Sequence, residues 1–141
     1  LDYSGSCPAL LLEPQRTNFM IQSEYFDTAY SLTNVGFDYN NSISPEGLQN
    51  AAKAIPTNGA TLARVWKGPY GSGSQVASVF AKAGEYDSIY LAVFSGSTYK
   101  YAAYNLSNGS LISATADNYG IEDYGNGWYR VWVYLASSLA R

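Results

Sequence analysis

Residues 127–136 read GWYRVWVYLA. Helical spacing is missing from this stretch, and as a strand it sends successive side chains to opposite faces. Tyr129, Val131, Val133 and Leu135 then share one face, and Trp128, Arg130, Trp132 and Tyr134 share the other. The first set has the character of a core. The second gathers three aromatic rings around a guanidinium, and a surface of that kind seldom faces bulk water without a partner.

The same alternation recurs upstream. Residues 75–83 (QVASVFAKA) set Val76, Ser78 and Phe80 against Ala77, Val79 and Ala81. Residues 88–96 (SIYLAVFSG) set Ile89, Leu91 and Val93 against Tyr90, Ala92 and Phe94. Residues 98–106 (TYKYAAYNL) carry Tyr99, Tyr101 and Tyr104, and 110–116 (SLISATA) follow after Asn108-Gly109. Asn-Gly between two alternating runs is a hairpin signal, because both turn residues are expected to take positive φ. Asn126-Gly127 introduces the last strand. Residues 60–68 (ATLARVWKG) form another strand, and SPEGLQNAAKAIP (44–56) reads as a turn followed by a strand, with room for one helical turn. Ala9–Leu12, bracketed by Pro8 and Pro14, reads as a short edge strand. Strands about ten residues apart with turn signals between them predict an all-β sandwich or barrel.

The 141 residues suffice for one domain with one core, spanning 1–141. The chain does not begin with Met, so a piece of a longer protein is expected. Charged residues make up 13%, well under the usual quarter or so, and the net charge is −3. No basic cluster occurs, which argues against nucleic acid as a partner, and no apolar run is long enough for a membrane-spanning helix. The fourteen tyrosines suit half-buried strands and binding surfaces. Cys7 is the only cysteine, so no disulfide can form within the chain.

Catalytic chemistry has little to draw on. Histidine is absent, which removes Ser-His and Cys-His nucleophilic systems and the commonest zinc ligand. Cys7 reads as a small buried hydrophobe. The carboxylate pairs Glu24 with Asp27, Glu85 with Asp87, and Glu122 with Asp123 would be the material for glycoside hydrolysis. Each lies where an acidic turn explains it better, and an enzyme is not expected. Asp117, Glu122 and Asp123, with Asn118, offer oxygen ligands for calcium, but their spacing matches no EF-hand loop.

Three segments carry a family resemblance: CPALLLEPQRTN (7–18), VFAKAGE (79–85) and GNGWYRV (125–131). In sequence and order, and across nearly the whole chain, they resemble jelly-roll domains of tailed-bacteriophage fibre, spike and virion decoration proteins. Those domains are similar to carbohydrate-binding modules. The resemblance implies a jelly-roll β-sandwich of two antiparallel sheets, without catalysis. It implies display on the virion surface, in a tail or head fibre assembled in the host cytoplasm. It also implies attachment to a host cell-surface polysaccharide, with a homotrimer or other virion proteins as further partners. The alternative is a structural module that trimerises or decorates the particle and binds no sugar. The resemblance makes Trp128 an anchor of the core, beside Val79, Leu91, Tyr129, Val131 and Val133. The relatives often place small or hydroxylated residues where this chain has Trp132 and Tyr134. Those two, with Arg130, are candidates for a glycan platform or an oligomer interface, the interface being slightly favoured. Trp66, Tyr70 and Tyr124 are the candidates for glycan contact from loops.

Overall fold

The computed structural model describes residues 26, 28–57, 59, 62–67 and 73–136. The expectations for Cys7, the 9–12 strand, Glu24, Asp27 and Tyr70 fall outside them. The described residues form ten strands and no helix: β1 (Ser31–Thr33), β2 (Val35–Ser42), β3 (Ala51–Pro56), β4 (Arg64–Trp66), β5 (Gln75–Lys82), β6 (Ser88–Phe94), β7 (Tyr99–Asn105), β8 (Ser110–Ala114), β9 (Asn118–Gly125) and β10 (Trp128–Leu135).

Every pairing among them is antiparallel, in four sheets ordered β5-β10-β9, β6-β7-β8, β2-β3 and β1-β4. The two three-stranded sheets are the faces of an all-β sandwich. Between them lies one apolar cluster. β10 contributes Val131, Val133 and Leu135, β6 contributes Val93, and β7 contributes Ala102 and Tyr104; Leu106 and Ala116 join from the connections. Ala77, Val79 and Ala81 of β5, Ile121 of β9, and Ile89 and Leu91 of β6 pack against it. Val131 and Val133 are fully buried, each worth about 1.5–3 kcal/mol of apolar transfer. The period-two pattern of GWYRVWVYLA therefore maps directly onto one buried and one outward face.

One residue of the expected core is corrected. Trp128 is half-buried on the outward face and belongs to no part of the apolar cluster. The pleat explains this: Trp128 lies an odd number of residues from Val131 and Val133, so it cannot share their face. Tyr129 takes the inward position, partly buried against the cluster.

One turn differs from its expected chemistry. The β7–β8 connection has only Gly109 in the left-handed region, at φ 72°. Asn108 works there through its side chain, whose Oδ1 accepts from Ser110 N at 2.9 Å. The two-residue turn with both residues at positive φ occurs at Asn126 and Gly127, φ 54° and 81°, joining β9 to β10. This is the mirror-image turn whose twist matches that of paired strands. β9 itself falls where an acidic loop was expected. At 44–50 the chain makes a turn without helix, closed by Gly47 N to Ser44 O (2.9 Å) and Ser44 N to Leu48 O (2.8 Å).

Candidate functional site

The outward face of the β5-β10-β9 sheet is assembled from three strands. Pairing places Lys82 opposite Trp128, Phe80 opposite Arg130, Ser78 opposite Trp132 and Val76 opposite Tyr134. On the other side Arg130 faces Glu122, Trp132 faces Gly120 and Tyr134 faces Asn118. Trp128, Arg130, Trp132 and Tyr134 are all half-buried, and Phe80 and Val76 are exposed.

Each group has a fixed attachment. A Cβ built on Gly120 would stand 2.6 Å from Cε2 and Cζ2 of Trp132, so the indole lies flat across the glycine. One ring face is thus spread on the backbone and the side chain is held in a defined plane. The Tyr134 hydroxyl donates to Ser74 Oγ at 3.4 Å. Arg130 pairs with Glu122 at 3.5 Å, an exposed contact worth at most about 1 kcal/mol. Tyr124 is the extra residue of a bulge, where the pairing jumps from Gly125–Trp128 to Asp123–Tyr129. Bulges re-aim side chains. Here the Tyr124 ring meets the Phe80 ring edge-on, with centroids 4.9 Å apart at 85°.

At the Trp128 end this face runs into a pocket of about 430 Å³. One wall is the loop from Ser42 to Gly47; the other is Tyr124, Asn126, Trp128 and Lys82. Trp128 holds the two walls together, because its Nε1 donates to Ile43 O at 3.0 Å. With the indole N–H committed, the rest of that ring offers apolar surface.

The sequence candidates thus separate. Trp128, Arg130, Trp132, Tyr134 and Tyr124 share the outward face with one another. Trp66 stands on β4, in the separate β1-β4 ribbon, 48% exposed. Phe80, Lys82, Asn126 and the 42–47 loop were not identified from the sequence. The period-two set Val76, Ser78, Phe80 and Lys82 held a signal for two of them, but only the pairing of β5 with β10 brings that set beside Trp128.

Among the described residues the acidic candidates do not converge on one metal site. Asp117 Oδ2 accepts from Ala136 N at 2.8 Å, and Asp123 Oδ1 accepts from Gly125 N at 2.7 Å. Glu122 and Asp123 are consecutive on a strand and point to opposite faces. Glu85 pairs with Lys53 at 2.8 Å, which lowers the Glu85 carboxyl below its ordinary value, first by the hydrogen bond and then by the lysine's charge. Among the described residues no three His, Cys, Asp or Glu side chains gather as metal ligands.

The opposite face of the sandwich is aromatic too. Tyr90 stacks on Tyr101 with centroids 4.3 Å apart, and Phe94 meets Tyr99 at 5.1 Å. Tyr90 and Tyr99 are exposed, and Tyr104 turns inward to the core. Burial, then the neighbouring Tyr101 and Tyr99, push the Tyr90 phenol up from its ordinary value.

No family model matches the chain, and no curated protein matches it.

Proposed function

We propose that the chain is a non-catalytic glycan-binding module that attaches a virion to a host surface polysaccharide. One observation carries this reading: the outward row Trp128-Arg130-Trp132-Tyr134, with Trp132 laid flat on Gly120, ends in an open pocket with polar walls. A pyranose has an apolar C–H face that rests on an indole or phenol ring, while amides, hydroxyls and cations bond its hydroxyls. Rings held in place lose little conformational freedom when a ligand arrives. The family resemblance supplies the virion setting.

The second reading is a structural module that joins copies of the chain or decorates the particle. The exposed Val76 and Phe80 on the same face favour it, since aromatic rings and arginine are enriched at interface cores. One double change separates the two. In the glycan reading, Trp132→Ser with Tyr134→Thr abolishes binding on a glycan array and leaves the light-scattering mass unchanged. In the interface reading the same change lowers the mass and leaves a folded chain. A double variant that unfolds outright would defeat both and make this face part of the core.

A further inference from the structure

We infer that the pocket at the Trp128 end receives an anionic sugar unit, carrying a carboxylate or a phosphate, with Lys82 as its charge partner. This rests on the glycan reading above and adds a substrate class to it. Lys82 is exposed, and among the described residues its ammonium forms no ion pair. Two other cations are already engaged, Arg130 by Glu122 on the same sheet face and Lys53 by Glu85. The lysine stem is positioned: its Cε lies 3.3 Å from where a Cβ on Gly127 would stand, beside the β9–β10 turn. Across the strand pair it stands opposite Trp128, so a cation and a ring flank the same opening.

The remaining walls suit a sugar rather than a bare ion. Trp128 and Tyr124 supply ring surface, and Asn126 and Ser42 supply amide and hydroxyl groups. Among the described residues Lys82 is the one charged residue lining the pocket, with Glu46 in the 42–47 wall between the lining residues Pro45 and Gly47, and Arg130 on the same face is paired with Glu122. Beyond roughly 8–10 Å physiological salt screens the net charge, so the local cation decides at contact.

The test places the chain on an array of bacterial surface polysaccharides: neutral, uronate-bearing and phosphate-bearing. Each is printed untreated, carboxyl-reduced, and dephosphorylated with hydrogen fluoride. Binding to an anionic member should fall about ten-fold when its anionic group is removed. Lys82→Gln should cause a similar fall, Lys82→Arg should retain most of the affinity, and added sodium chloride should weaken the unmodified chain's binding. The treatment that removes binding tells carboxylate from phosphate. Binding confined to neutral members, or insensitive to both treatments or to Lys82→Gln, overturns this inference and leaves the glycan reading standing. Binding to no member overturns both.

Discussion

At the scale of single residues, Gly120 and Trp132 depend on each other across a strand pair. No side chain fits at Gly120 while the indole lies where it does, since the added carbon would sit 2.6 Å from two ring atoms. Gly120→Ala should therefore destabilise the chain by about 1–3 kcal/mol in urea unfolding, the usual cost of overpacking. In a Trp132→Ser background the same change should be nearly silent, because nothing remains to collide with. Equal costs in the two backgrounds would show that the indole does not rest on the glycine. This dependence could not be read from the sequence. Gly120 sits twelve residues before Trp132 in the chain, and nothing in its local pattern announces which strand it will face. The faces of β10 were legible, because a period of two needs no knowledge of partners. Trp128 shows the cost of setting that rule aside: its parity put it outside, whatever role the family resemblance gave it.

At the scale of elements, the strands with long apolar runs were legible, and β1, β2 and β9 were not. β5 and β10 bury alternate positions, β7 buries Ala102, Ala103 and Tyr104 in succession, and the bounds of β5, β6, β7 and β10 follow the sequence runs closely. β9 is mostly exposed and carries Asn, Glu and Asp, residues depleted in strands, so its pairing with β10 decides its state. Its two apolar inward positions, Tyr119 and Ile121, were the faint signal. Turns were legible as turns but not as types. Gly127→Ala should cost about 1–2 kcal/mol in thermal melts, because φ is 81° there and Lys82 crowds the site. Gly84→Ala, with no positive φ and open space around it, should be neutral or slightly stabilising. If the two changes have equal effects, the Asn126-Gly127 turn does not have this form in solution.

At the scale of the molecule, polar contacts between the β2-β3 hairpin and the sandwich include Trp128 Nε1 to Ile43 O and Lys53 to Glu85. Glu85 ionises more readily in the folded chain than its ordinary value of 4.5. Its contribution to stability is therefore present above about pH 4.5 and fades as pH falls through the lowered folded value. A carbon-13 titration of the Glu85 carboxyl should give a midpoint below 4.5 that returns to the ordinary range in Lys53→Met. An ordinary midpoint in the unmodified chain would mean that the ion pair does not persist in solution. The indole contact has a different consequence. The two walls of the pocket come from separate chain segments, and the bond between Ile43 and Trp128 links positions 85 residues apart. Neither wall supplies a side chain to the apolar cluster. Substitutions in the 42–47 loop or at 126 can thus accumulate separately, and a lineage under pressure to recognise new surfaces could remodel the opening while inheriting the sandwich unchanged.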